Sequence, residues 1–283
     1  DEVNVLVHGH EPALSEIVAE ASRDPELLTL AKQDGAKGIN IAGICCTSNE
    51  ILMRHGIPVA GNFLQQELAI LTGAVDLMMV DVQCLMPALS TMSNCFHTKL
   101  VTTSPKCKYP QVEHIEFKEE KAYEIAKSIL KLAIGNYKNR KKDRVLIPKE
   151  NENLVAGFTA ESVFNFLGGK YRATYRPLND AIITGRLRGA AGVVGGNNPN
   201  VKHNYAHVEM TKELIKNDVL VVSTGCSAIA SGEAGLLTPE AAFEYAGKGL
   251  QEICEAVGIP PILHAGACVD NSRILITLSN MVN

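Results

Sequence analysis

The stretch VNVLVHGHEPALSE (residues 3–16) sets the pattern that the rest of the chain repeats. Its first six residues are almost continuously apolar, which is typical of a β-strand covered on both faces, and a helical pattern follows. Further short apolar runs alternate with longer amphipathic segments, and this alternation indicates βαβ units with a parallel sheet. The predicted strands are residues 3–8, 38–44, 77–82, 99–104, 190–195, 219–224 and 261–266.

Helical patterns fill the segments between these strands. The longest begins at a predicted N-cap, Thr238, and closes at Gly258. A basic run, YKNRKKDR (residues 137–144), is interpreted as a solvated linker, and a domain boundary is placed beside it. We expect an α/β protein of two Rossmann-like, doubly wound parallel-sheet domains, residues 1–145 and 146–283. The predicted helices are residues 12–22, 49–56, 64–73, 121–137, 206–217 and 238–258.

Composition limits the classes of function. With 283 residues, 46% of them hydrophobic and 20% charged, the chain has the make-up of a soluble protein with a substantial core. Its net charge of −4 argues against a nucleic-acid surface. No apolar run approaches the roughly 18–20 residues of a membrane helix, and the acidic start does not resemble a leader peptide, so a cytoplasmic protein is expected. The missing initiator Met predicts a piece of a longer polypeptide.

Thiols or imidazoles follow five of the predicted strands. In open α/β sheets, ligands bind beyond the carboxyl ends of the strands, where side chains from distant parts of the sequence converge. A single buried cysteine is usually just a small apolar side chain, but five repetitions at the equivalent place indicate one shared site. The candidates are His10 (with His8 nearby), Cys46, Cys84, Cys226 and Cys268.

Sulfur donors with one nitrogen suit iron–sulfur chemistry or a soft metal. The ligands are widely separated, unlike the short pairs of a zinc finger, so we predict a large multi-metal cluster at the strand C-termini of both domains. Cys45 is a spare ligand beside Cys46. The other cysteines and two further histidines are not assigned to the centre. Cys254 is interpreted as structural, Cys95 and Cys107 as ordinary thiols, and His203 and His207 as surface or core histidines.

Several long motifs resemble the catalytic region of the anaerobic nickel–iron carbon monoxide dehydrogenases, and the resemblance covers essentially all 283 residues. Hybrid-cluster proteins are more distant relatives with a similar fold. The motifs are VNVLVHGHEPALSE, GINIAGICCTSNEILMRHGIPVAGNFLQQELAILTGAVDLMMVDVQC, CFHTKLVTTS, AAGVVGGNNPN, HVEMTKELIKNDVLVVSTGCSA and CVDNSR.

The resemblance implies a nickel–iron–sulfur centre, the C-cluster, which interconverts CO and CO₂. It assigns His10 and Cys46 to the iron outside the cubane, Cys84 and Cys226 to cubane irons, and Cys268 to nickel. It also implies further 4Fe–4S clusters on a preceding part of the polypeptide, a ferredoxin-like electron acceptor and a homodimer. An acetyl-CoA synthase is a further candidate partner.

One position departs from the family pattern. The family places a cubane ligand in GVVGCNNP, and this chain has Gly196 there. Two alternatives to carbon monoxide dehydrogenase therefore stay open. One is a paralogue whose altered cluster performs another reduction, such as hydroxylamine reduction. The other is a non-catalytic scaffold that assembles no complete cluster.

Overall fold

A computed structural model describes residues 1–168 and 174–282. Contacts within the chain divide it into two units, Asp1–Lys149 and Glu150–Asn283. Each unit contains a parallel sheet with helices, which confirms the predicted α/β class. The proposed domain boundary between residues 145 and 146 stays a prediction.

The sheet of the first unit has six parallel strands in the order β3-β2-β1-β4-β5-β6. This is the strand order of doubly wound nucleotide-binding folds, in which the chain reverses its direction of winding between two adjacent strands. Here the reversal falls between β1 and β4, so their carboxyl ends border a crevice. The strands are β1 (Val3–His8), β2 (Ile39–Ile44), β3 (Val59–Gly61), β4 (Leu77–Val80), β5 (Lys99–Thr102) and β6 (Glu113–His114).

Six α-helices accompany this sheet. Local capping defines two of them: Glu11 accepts the N–H of Ala13 at the start of α1, and Asp24 accepts that of Glu26 at the start of α2. The predicted helix at 49–56 begins earlier, at Cys45, directly after β2. The helices are α1 (Pro12–Ala21), α2 (Pro25–Gln33), α3 (Cys45–His55), α4 (Gln66–Leu71), α5 (Leu89–Cys95) and α6 (Ala122–Asn136).

The core of the first unit lies between the sheet and helices α1, α2 and α6. Leu14, Leu27, Ile129 and Leu130 are fully buried there, together with the alternate residues of β1 and β4 that face the helices. Burial of an apolar side chain of this size contributes about 2 kcal/mol. The core therefore fixes the sheet that carries the strand ends.

The basic run at residues 137–144 is mostly exposed, as expected of a solvated linker, but Tyr137 and Arg140 are held against the first unit. Arg140 forms an ion pair with the fully buried Asp76, and Tyr137 is buried. The guanidinium of Arg144 lies over the Phe96 ring, 5.0 Å from its centroid. The prediction is wrong for Arg140, because its partner Asp76 lies 64 positions away in sequence.

The sheet of the second unit has three parallel strands in the order β7-β8-β9. They are β7 (Gly189–Val193), β8 (Val219–Thr224) and β9 (Ile262–Gly266). Within the described residues of this unit, seven α-helices accompany them: α7 (Ala160–Gly168), α8 (Arg176–Ile183), α9 (Tyr205–Lys216), α10 (Gly225–Glu233), α11 (Ala241–Tyr245), α12 (Lys248–Val257) and α13 (Asn271–Val282).

The prediction of one continuous helix over residues 238–258 is wrong, because this segment forms two helices, α11 and α12. The break lies at Ala246 and Gly247, which have extended backbone conformations. Asp218 accepts the N–H of Leu250 at 2.9 Å, which caps α12, and a side chain at Gly247 would overlap the Asp218 carboxylate. Thr238 is also not the N-cap, since α11 begins at Ala241.

Candidate metal centre

Three neighbouring strand ends of the first unit carry the predicted ligands. In the sheet, β1 lies between β2 and β4, with His8 paired to Ile44 on one side and to Val80 on the other. His10 follows β1, the Cys45–Cys46 pair follows β2, and Cys84 follows β4. Because parallel strands end at the same edge, the topology brings imidazole and thiol groups together.

The backbone and one ring nitrogen of His10 are held by the segment after β4. The His10 N–H donates to Asp81 Oδ1 at 2.6 Å, and Nδ1 lies 3.1 Å from the carbonyl oxygen of Val82. A carbonyl only accepts, so Nδ1 carries the hydrogen and Nε2 is directed at the thiols, 3.9 Å from Cys84 Sγ. Metal-binding histidines are commonly oriented by a bond of this kind.

His10 and Cys84 each stabilise the charged form of the other. Burial opposes the positive charge on the His10 ring, but hydrogen bonds with Cys46 and Cys84 outweigh it and raise the pKa of His10 to about 10. Hydrogen bonds from Cys45 and His10 hold the pKa of the Cys84 thiol below its usual range, against the effect of burial. A thiolate is the form that binds metals.

Both members of the Cys45–Cys46 pair contribute to this group of donors. Cys45 hydrogen-bonds to Cys84, and Cys46 hydrogen-bonds to His10. Adjacent residues rarely face one site, but Cys45 has a left-handed backbone with φ of 65°, which changes the direction of its side chain. One donor atom each of His10, Cys45 and Cys84 lies within 4.8 Å of the other two.

Asp81 and Gln66 were missed by the sequence analysis. Asp81 is buried, and burial raises the pKa of its carboxyl to about 6 although backbone hydrogen bonds from His10, Val82 and Glu11 oppose that rise. The Gln66 amide is buried on α4 and contacts the Cys84 turn. The only sequence signal for Asp81 is a polar residue at the end of an apolar strand.

His8 is fully buried at the end of β1 and does not present its ring to the group of sulfur donors. Burial lowers the pKa of His8 to about 4, so its ring is neutral at neutral pH. Its Nε2 lies 3.1 Å from the Cys84 carbonyl oxygen. His8 therefore contacts the backbone of a candidate ligand, whereas His10 contacts the sulfur atoms.

In the second unit the remaining candidates also follow strands. Cys226 is buried in the first turn of α10, directly after β8, and Cys268 is partly buried in a short turn after β9. Gly196 lies three residues after the end of β7, whose Val193 pairs with Ser223 of β8. The strand end that neighbours Cys226 therefore offers no side-chain donor at Gly196.

The residues without an assigned role in the centre are distributed as follows. Cys254 is buried in α12, and burial raises the pKa of its thiol to about 12. His207 hydrogen-bonds to the Gly195 backbone, and His203 lies 3.5 Å from Glu233. Cys95, at the end of α5, is exposed and Cys107 is partly exposed.

These features define a class of protein: a parallel-sheet metalloprotein with sulfur and nitrogen donors at a sheet edge, a set that soft transition metals prefer. The Prismane/CO dehydrogenase family matches the chain over residues 1–283, and the chain belongs to this family. None of the helices in residues 1–168 and 174–282 has the length and apolar character of a membrane span.

Relatives of known structure and name agree with this assignment. The chain is 58% identical over 279 residues to carbon monoxide dehydrogenase 1 of Methanosarcina mazei, covering 99% of this chain and 44% of that protein. A nickel-free crystal structure of carbon monoxide dehydrogenase from Thermococcus sp. AM4 is similar with a TM-score of 0.93 and 55% identity, covering 98% of this chain and 43% of that one.

A third similar structure is an acetyl-CoA synthase/carbon monoxide dehydrogenase whose alpha subunits contain NiZn[Fe4S4] and NiNi[Fe4S4] clusters. Its TM-score is 0.91 at 44% identity, and the match covers 99% of this chain and 43% of that one. The chain thus spans less than half the length of the relatives that it matches.

Proposed function

We propose that this chain carries the ligand-bearing core of a carbon monoxide dehydrogenase, which catalyses CO + H₂O ⇌ CO₂ + 2 H⁺ + 2 e⁻. The proposal is supported by membership of the family and by 58% identity to a protein of that name. The main structural support is that donor atoms of His10, Cys45 and Cys84 lie within 4.8 Å of one another, while Cys46 is hydrogen-bonded to His10.

The proposed cofactor is a nickel–iron–sulfur C-cluster. His10 and Cys46 would hold the iron outside the cubane, Cys84 and Cys226 cubane irons, and Cys268 nickel. The first unit fits this role, because its donors are an oriented imidazole and thiols, one of which has a lowered pKa. Gly196 removes one expected thiolate, so one iron would need another ligand. We also propose that ligands from the two units bind the same cluster.

The protein side of the mechanism follows from the contacts of the first unit. When bound, the cluster would supply open metal positions for CO and water and would store two electrons. The Val82 carbonyl holds Nδ1 of His10, so that Nε2 faces the Cys84 thiol and would be available to bind an iron. Asp81 fixes the His10 backbone, and the burial of Cys45 and Cys46 keeps bulk water away from these two sulfur atoms.

The wider setting of the reaction is proposed from the family. Electrons would leave through further 4Fe–4S clusters to a ferredoxin-like acceptor, in a cytoplasmic homodimer. An acetyl-CoA synthase is a candidate partner, since one similar structure combines both enzymes.

Metal analysis together with an activity assay tests the proposal. The chain, produced anaerobically with iron, nickel and sulfide, should bind iron and nickel and should reduce viologen dye when CO is supplied. Cys268→Ser should lose nickel but keep iron, whereas Cys95→Ser, at an exposed thiol outside the centre, should keep both. An iron content near zero would contradict the proposal and favour the non-catalytic scaffold.

A second candidate function rests on Gly196 alone. A centre with one thiolate fewer could perform another reduction, such as that of hydroxylamine. Gly196→Cys separates the two, because a carbon monoxide dehydrogenase should gain CO-oxidation activity when the missing ligand returns. An enzyme adapted to another substrate should gain little.

A further inference from the structure

The turn that carries Cys84 has an unusual backbone. Gln83 and Cys84, between β4 and α5, are both left-handed, with φ of 64° and 53°. Residues other than glycine rarely adopt this conformation, because Cβ approaches the following carbonyl oxygen. Two such residues in succession persist only where the surrounding structure holds them.

The Gln66 side chain spans this turn. Its Nε2 donates to the Cys84 carbonyl oxygen at 2.9 Å and to the Phe63 carbonyl oxygen, and its Oε1 accepts the Met86 N–H at 3.1 Å. Gln66 is fully buried at the start of α4, so water competes little for the hydrogen bonds of its side-chain amide. One side chain thus bonds to the turn on both sides of Leu85.

His8 supplies a second donor to the same carbonyl group. Its Nε2 lies 3.1 Å from the Cys84 carbonyl oxygen, and its ring lies beside the Gln66 amide. A carbonyl oxygen has two lone pairs and can accept both bonds. Together they fix the plane of the peptide that follows Cys84.

The orientation of this peptide decides where the Cys84 sulfur lies. The side chain is exposed and does not pack into the core, yet Sγ is 3.9 Å from His10 Nε2 and hydrogen-bonds to Cys45. We propose that Gln66 is a positioning residue of the metal centre: it holds the left-handed Gln83–Cys84 turn, so that Cys84 Sγ faces His10 and Cys45. This inference depends on the proposed function only for the identity of the natural cofactor. The positioning role of Gln66 does not depend on it.

Cobalt binding tests this role without CO or activity. The full-length chain with Cys226→Ser and Cys268→Ser keeps the donors of the first unit, and Co²⁺ reports its thiolate ligands through the sulfur-to-cobalt charge-transfer absorption. Adding Gln66→Met, which keeps the volume but removes the amide, should weaken Co²⁺ binding about 10–100-fold and reduce this absorption. Gln65→Met is the matched control: Gln65 accepts the Asn62 N–H at 2.7 Å and should leave cobalt binding unchanged.

Substitutions at the exposed Gln83 test the backbone argument with little risk to folding. Gln83→Gly, which adopts the left-handed conformation freely, should recover about tenfold of the affinity in the Gln66→Met protein and change little when Gln66 is present. Gln83→Val, a β-branched residue, should weaken cobalt binding even with Gln66 intact.

Three results would overturn the proposal: a folded Gln66→Met protein that binds cobalt like its parent, no recovery with Gln83→Gly, or no cobalt binding by the parent. Circular dichroism establishes that each variant is folded. A chain that gives the expected cobalt series but oxidises no CO would contradict the proposed function and leave the role of Gln66 supported.

Discussion

The carboxylate of Asp81 accepts the backbone N–H of His10, with 2.6 Å between Oδ1 and N. This bond joins the ends of β1 and β4 at the point where the strand order of the sheet reverses. It also explains the glycine of the HGHEP motif. Gly9 has φ of 139°, and a side chain there would overlap the Asp81 carboxylate.

Gly9→Ala should therefore lower the free energy of unfolding by about 3 kcal/mol, through backbone strain together with the overlap. Gly35→Ala is the matched control. Gly35 also has a positive φ of 86°, but a methyl group there would meet no atom within 4 Å. Its cost should be about 1 kcal/mol, from strain alone. Urea denaturation measures both, and equal losses would show that Asp81 does not constrain Gly9.

The two adjacent cysteines should differ in their effect on metal content. Cys46→Ser removes the thiol that bonds to His10 and, on the proposed assignment, an iron ligand. Cys45→Ser removes the spare ligand. Iron per chain after anaerobic reconstitution should fall markedly with Cys46→Ser and only slightly with Cys45→Ser. The reverse order would assign the ligand role to Cys45.

The ion pair of Arg140 with Asp76 should stabilise the first unit strongly. The two side chains are 7% and 0% exposed, and Asp76 also accepts the Asn4 N–H at 2.7 Å. Arg140→Met removes the guanidinium from this buried carboxylate, which keeps His97 Nε2 at 3.0 Å as a partner, and should cost about 3 kcal/mol of unfolding free energy.

The exposed pair of Lys37 with Asp1 provides the comparison. These side chains are 76% and 63% exposed, and Lys37→Met should cost less than about 1 kcal/mol. Both variants are measured by urea denaturation at neutral pH. A loss below 1 kcal/mol for Arg140→Met would mean that Asp76 is satisfied by its other hydrogen bonds.

His264 should make the stability of the second unit depend on pH. Burial lowers the pKa of this β9 residue to about 4, against about 6.5 in an unfolded chain. Between these values the unfolded chain binds a proton that the folded chain does not. Stability is therefore complete above pH 6.5 and falls as the pH is lowered, by about 2 kcal/mol at pH 5.

His264→Asn removes this titration while offering an oxygen to the Gly266 N–H, which His264 Nδ1 accepts at 3.2 Å. Unfolding free energies at several pH values should then decline less steeply between pH 6.5 and 5 than in the unmodified chain. An unchanged slope for His264→Asn would contradict the assignment.

Two physical causes account for several of the features that the sequence failed to predict, which also include the helices α2, α5, α7, α8 and α10. The short edge strands β3 and β6, of three and two residues, offer no repeating pattern to detect. The break between α11 and α12 depends on Asp218, more than twenty residues upstream of Gly247. The burial of Arg140 depends on Asp76, 64 positions away. Local patterns do not carry such distant contacts.

By itself, the sequence determined the α/β class, the long strands and the placement of His10, Cys46 and Cys84 at strand ends, because buried parallel strands are continuous apolar runs and their ends converge. The tertiary structure alone decided how these donors face one another. The left-handed turns at Cys45 and Cys84, the Asp81 bond to His10 and the Gln66 bonds to the Cys84 turn depend on contacts between segments distant in sequence, which no periodicity records.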